Sequence, residues 1–135
     1  MTDASSTCAV PGDPGGAIEA DLPLDREFHK GLVKAVLGWT GHPGLSPADL
    51  QQIALLLTGR ARAVAADVRR AADVLPEDHA ARALADVVLA EANRRLPMPA
   101  QGTVACCQNR ARLVRALHER LDRLAGVAPR ATTAP

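Results

Sequence analysis

Residues 46–75 read SPADLQQIALLLTGRARAVAADVRRAADVL, a stretch with no proline after Pro47 until Pro76 follows it. Ser46 is a strong N-cap type and Pro47 suits the first helical position. Asp49 sits at N3, where the helix dipole favours negative charge. From there Leu50, Ile53, Leu57, Ala61, Val64, Val68, Ala71 and Leu75 recur at steps of three and four, one stripe of an amphipathic helix. Gly59 is its weak point, and the pattern leaves open whether the helix kinks, breaks or continues through Thr58-Gly59.

Upstream, about Asp25 to Leu37 forms a first helix. Asp25 can cap it, and Phe28, Leu32, Ala35, Val36 and Trp39 lie at helical spacing. Gly31 weakens it and Gly38 can end it, before a connector over residues 39–45. Downstream, a third helix follows Pro76, carries Glu77 and Asp78 in its first turn, and runs to Leu96. Its expected core face is Leu84, Val88, Leu89, Ala92 and Leu96, and Pro97-Met98-Pro99 stops it. The fourth runs from about Thr103 to Ala125, with Cys107, Ala111, Val114, Leu117, Leu121 and Leu124 in line. The expected fold is all-α: a four-helix, mostly antiparallel bundle over residues 24–125. Residues 1–23, punctuated by Pro11, Gly12, Pro14, Gly15 and Gly16, read as a disordered leader, and 126–135 as a flexible tail.

Composition agrees. Among 135 residues there are 27 Ala, 17 Leu and 11 Val, but one Phe, one Trp and no Tyr. Ala and Leu lose little on entering a helix, whereas strands lean on aromatic and β-branched residues. A site built from several stacking rings is excluded, and with it most base-stacking RNA recognition. Sixteen basic residues, fourteen of them Arg, balance fifteen acidic ones to a net charge of +1. That near-neutrality argues against a dedicated nucleic-acid or membrane-surface binder. The charge is polarised: residues 1–30 carry six acids and two bases, residues 100–130 six Arg and two acids. Ends of opposite sign are expected to balance and to meet in the fold. Cys8, Cys106 and Cys107 make an odd set, and the first thirty residues contain no apolar core of a secretion signal. Reduced thiols and a cytoplasmic location are the expectation.

Few constellations carry chemistry. His29, His42, His79 and His118 lie far apart, and no pair has the i, i+4 spacing of a helical zinc site, so no metal is expected and no cofactor is implied. Glu91, Cys107 and His118 are the candidates for catalysis. Glu91 borders an apolar stripe, but its simpler reading is a partner for Arg94 and Arg95. Cys107 and His118 share a helix face roughly 16 Å apart. Asp67 with Arg70, Asp78 with Arg82, and Arg115 with Glu119 also have intrahelical ion-pair spacing. Leu45 to Arg60 is similar to the opening of a response-regulator-type helix-turn-helix, yet the segment that would read DNA, His79 to Leu89, sets His79 and Arg82 against Asp78 and Asp86.

The central stretch resembles a known family. Leu57-Thr58-Gly59 ahead of a long helix, Leu75-Pro76-Glu77-Asp78, Arg82-Ala83-Leu84-Ala85 and Glu91-Ala92-Asn93-Arg94-Arg95-Leu96 look like a small actinobacterial family of unknown function, whose members are commonly labelled natural product biosynthesis proteins. The likeness covers about residues 45–125. It departs at Gly59-Arg60, where the family often has Gly-His. It implies a setting in specialised (antibiotic-type) metabolism and no particular reaction.

The sequence therefore favours a non-enzymatic accessory or regulatory helical protein that acts by contact with a protein partner or with itself. Arg110, Arg112 and Arg115, with Trp39, are its expected contact surface. Replacing the three arginines with Glu should abolish partner binding without unfolding. One alternative is a small enzyme or carrier holding an apolar intermediate between helices, with Trp39, Cys107, His118 and Glu91 nearby. The other is a helix-turn-helix regulator. A several-hundred-Å³ pocket with converging polar groups would favour the carrier.

Overall fold

The computed structural model describes residues 23–127, with side chains from residue 26 onward. The expected leader up to residue 22 and the tail from residue 128 lie outside the described residues. Four helices follow in order: α1 Pro23–Leu37, α2 Pro47–Asp73, α3 Ala80–Arg95 and α4 Val104–Val127. They pack on one another as an all-α bundle, with no strand among the described residues.

α2 begins as its sequence dictates: Ser46 Oγ accepts the Asp49 N–H at 3.1 Å. It does not break at Gly59. Leu57, Ala61 and Val64 are fully buried on either side, and Thr58 Oγ1 closes onto the Ala54 carbonyl at 2.8 Å. Tertiary burial on one face outweighs the roughly 1 kcal/mol that an exposed helical glycine costs.

Four other expectations need correction. α3 starts at Ala80, after the acidic pair: the His79 N–H bonds the Pro76 carbonyl, and His79 Nδ1 accepts the Ala81 N–H, each at 3.0 Å. Pro76 to Asp78 is thus a turn held by a histidine N-cap. The inward stripe of α3 is Ala85, Leu89, Ala92 and Leu96, leaving Leu84 52% exposed. On α1 the buried residues are Val33 and Val36, while Phe28 is 58% exposed and stacks edge-on against His29. α4 continues through Gly126 to Val127, two residues beyond its expected end.

Chain directions follow from the cross-helix contacts. The Cys107 thiol meets the Leu50 carbonyl at 3.1 Å, and further along Arg60 meets His118. Both pairs advance together, so α2 and α4 run parallel, and this is the most extensive contact in the bundle. α1 runs against α4: Arg26 bonds Asp122 at one end, while Gln108 Nε2 donates to the Val36 and Trp39 carbonyls at the other. α3 runs against α2, with Arg69 on Asp86 and Arg62 on the Leu96 carbonyl. Consecutive helices thus alternate in direction, and alternation leaves the central pair, α2 with α4, parallel. Residues 26 and 122 of the two polarised ends meet as Arg26 on Asp122, the reverse of the expected sense, and the acids of residues 1–22 lie outside the described residues.

Close approach of α2 and α4 begins at Gly102, where a Cβ would lie 2.3 Å from the Pro47 carbonyl oxygen. Gly102→Ala should therefore destabilise the protein by about 1–3 kcal/mol, because backbone has to move. Gly59→Ala, whose Cβ meets nothing within 4 Å, should stabilise it by about 0.5–1 kcal/mol. Thermal unfolding followed by far-UV circular dichroism reads both, and opposite signs are the expected result.

Candidate functional site

The arginines expected to form one contact surface are separated by the helix that carries them. Arg110 is buried at 6% exposure and donates to the Arg95 and Met98 carbonyls, both at 2.8 Å. Arg62, from α2, donates to the neighbouring Leu96 carbonyl at 2.8 Å. Together they satisfy carbonyls that the end of α3 leaves without intrahelical partners. Arg82 treats the end of α2 the same way through the Leu75 carbonyl at 2.8 Å, and approaches Asp73 at 3.5 Å rather than Asp78. Arg110 is thus an internal cap. Exchanging it for Glu would bury a carboxylate against carbonyl oxygens, so the triple Glu replacement would unfold the protein rather than spare it. Arg112 is exposed and bonds Asn109 at 3.0 Å. Arg115 is also exposed, three residues farther along α4.

The three candidates for catalysis do not converge. Glu91 is half-buried and bonds both Arg94 and Arg95 of its own helix. Cys107 is fully buried, and burial pushes its thiol pKa up, which disfavours the nucleophilic thiolate. His118 lies farther along α4 against Arg60. Trp39 is half-buried and packs on the core from the connector, with its carbonyl taken by Gln108. No group of three or more His, Cys, Asp or Glu among the described residues is placed to hold a metal ion. No helix among them is long and apolar enough to cross a membrane. An uninterrupted α2 removes the turn that a helix-turn-helix requires at Gly59.

His118 does join a cluster. Arg60 Nε and Nη2 lie 3.2 and 3.0 Å from His118 Nε2, and both residues are only 5% exposed. A guanidinium has no acceptor, so Nε2 must be the accepting nitrogen and the proton of the neutral ring sits on Nδ1. Burial, then the charges of Arg60 on α2 and of Arg26 and Lys30 on α1, pull the His118 pKa down to about 4, with Asp122 opposing. The ring is neutral at physiological pH.

This ring lines an open groove of about 530 Å³ between α1 and α4. Val33 and Leu37 give it an apolar wall, Lys30 and Lys34 line the α1 side, and Arg115, Glu119 and Asp122 the α4 side. Asp122 is engaged by Arg26. Among the described residues no ion pair joins Arg115 to Glu119, so the expected intrahelical link is not made and Arg115 keeps its charge for the groove. Lys30, Lys34 and Arg60 were not among the expected site residues. Arg60 stands one position before Ala61 on the inward stripe, a signal that a buried arginine needs an acceptor. For the lysines, i, i+4 spacing gave no warning, because only the packing of α1 onto α4 sets them opposite Arg115. A shallower depression holds Glu91, Arg95, Asn109 and Arg112 between α3 and α4.

Comparisons of the chain with protein-family models, with curated proteins and with solved structures find no match in any of the three.

Because His118 has a lowered folded pKa, the unfolded state binds more protons between pH 6.5 and 4. Stability should therefore fall as pH drops through that window, by up to about 3 kcal/mol. Urea unfolding at several pH values checks it. His118→Gln, which keeps an acceptor for Arg60 but does not titrate, should flatten the slope.

Proposed function

We propose that the protein is a non-enzymatic accessory protein that holds a small amphipathic anion in the groove between α1 and α4. The observation that carries this reading is the juxtaposition of an apolar wall, Val33 and Leu37, with Lys30, Lys34 and Arg115 around one concavity of about 530 Å³. That volume lies within the roughly 300–1,000 Å³ of small-molecule sites. An aliphatic body would lie along the wall, while a carboxylate or phosphate would sit among the cations. The neutral His118 ring lines the same groove and adds an N–H donor at Nδ1. Binding rather than turnover is supported by the separation of Cys107, Glu91 and His118, which leaves no nucleophile beside a base.

The biological setting, specialised metabolism in an actinobacterium, is supported by the sequence resemblance over residues 45–125 alone. Contact with a protein partner remains part of the reading in one form: a loaded groove would deliver its cargo to a larger enzyme. Arg112, exposed on α4 beside Asn109, is a residue such a partner could meet.

Isothermal titration with dodecanoate tests the site, with dodecyltrimethylammonium as the control of opposite charge. Dodecanoate should bind and the ammonium should not. Lys34→Glu with Arg115→Glu should weaken dodecanoate at least tenfold, the effect of about 1.4 kcal/mol, with thermal stability unchanged because both side chains are exposed. Equal affinity for the two amphiphiles, or indifference to the charge reversals, would overturn the proposal.

A further inference from the structure

α3 is apolar on two opposite faces. Its inward face packs on α2 and α4 through Ala85, Leu89, Ala92 and Leu96. Its outward face presents Ala80, Ala83, Leu84, Val87 and Ala90, all exposed, with Leu84 at 52% and Val87 at 67%. Positions 80, 83, 87, 90 and 94 alternate steps of three and four, the spacing of a helix–helix seam. Alanines on that seam let a second helix come close. Solvent alone gives no reason for apolar residues at this spacing, since an exposed helix face is normally charged.

Charge on α3 and its flanks is also arranged end to end. Glu77 and Asp78 are exposed just before its N-terminus, and Arg94 and Arg95, exposed in its last turn, share the single carboxylate of Glu91 and leave that end with one excess positive charge. Two such helices placed parallel would set like charges side by side. Placed antiparallel about a two-fold axis, each acidic end meets the partner's basic end, twice over, and the helix dipoles oppose favourably. With the axis at Val87, position 94 falls opposite position 80, and the Arg94 side chain reaches Glu77 and Asp78 one turn away.

We propose that the outward face of α3 pairs with the same face of a second copy of this chain, antiparallel, about a two-fold axis at Val87. The seam is 16 residues, ~24 Å long. One helix face is a narrow seam, so the dimer is reversible and forms with rising concentration. None of the residues lining the α1/α4 groove comes from α3, and both grooves stay open in the pair.

Sedimentation of the full chain across micromolar to millimolar concentrations tests the pairing. The wild-type weight-average mass should rise from monomer toward dimer. Val87→Arg, which sets two cations face to face on the axis at an exposed position, should hold the protein monomeric with an unchanged circular dichroism spectrum. Arg94→Glu should weaken the dimer several-fold, and adding Glu77→Lys and Asp78→Lys to it should restore association. Val87→Cys, in a Cys8→Ser, Cys106→Ser background, should form an intermolecular disulfide under mild oxidation, since the axis brings position 87 onto itself within the ~7 Å that a disulfide spans. Ala80→Cys should not. A wild type that stays monomeric throughout, or a dimer that Val87→Arg leaves intact, would overturn the proposal.

Discussion

The close parallel packing of α2 against α4 is the constraint on which the rest of the bundle depends. Small residues, Ala54 and Ala61 from α2 and Ala111 from α4, are fully buried, and Gly102 admits the start of α2 to within backbone contact. Parallel helices cannot be joined by a short turn, so the chain has to return along the pair before α4 can begin. α3 is that return, which explains why it packs on both central helices. α1 then covers the remaining side of α4. Once the central pair is fixed, the other two helices have few places left to go.

A core built from Ala, Leu and Val with almost no aromatic rings leaves the helix ends close to one another, and those ends carry carbonyls that need donors. Arginine meets that need because its fork reaches two acceptors at once and its aliphatic stem is compatible with burial. Arg62, Arg82 and Arg110 each leave their own helix to close the end of another element. The Arg-rich composition is therefore partly an internal feature. Arg60 is the extreme case, a guanidinium inside the central interface whose neighbour His118 accepts from it and is held neutral, first by burial and then by the Arg60 charge.

The two outward features of the molecule lie on different elements and have different physical characters. Between α1 and α4 a concave, partly apolar groove is ringed by lysine and arginine charge. On α3 the surface is a convex apolar seam with opposite charges at its ends. The first suits a small amphipathic anion and the second suits a copy of itself.

Much of the fold was legible in the chain. Ser46-Pro47 and the stripe from Leu50 to Leu75 announced α2, and Pro97-Met98-Pro99 the boundary between α3 and α4, because caps, prolines and apolar periodicity act locally. Cys107, Ala111, Val114, Leu117 and Leu124 lie inward as their spacing required. The errors and open points arose wherever a local signal competed with packing. Gly59 carried a break signal that burial of its neighbours overrode, and the acidic pair at Glu77-Asp78 suggested a helix start that the His79 cap places later. Leu84 and Phe28 read as core residues, yet the rotation of α3 and α1 about their axes turns both outward. Arg110, Arg112 and Arg115 are close in sequence, but a helix advances about 100° per residue: Arg110 turns inward as a cap, while Arg112 and Arg115, three residues apart, stay exposed and border different grooves of α4. The sequence by itself determined which segments are helical and which residue types could face inward, since those depend on neighbours within a turn or two. Only the tertiary structure decided that α2 and α4 run parallel, that Arg60 meets His118, and that Lys30 and Lys34 share a groove with Arg115. Those outcomes join residues dozens of positions apart, and the geometry of helix packing, which no local pattern encodes, sets them.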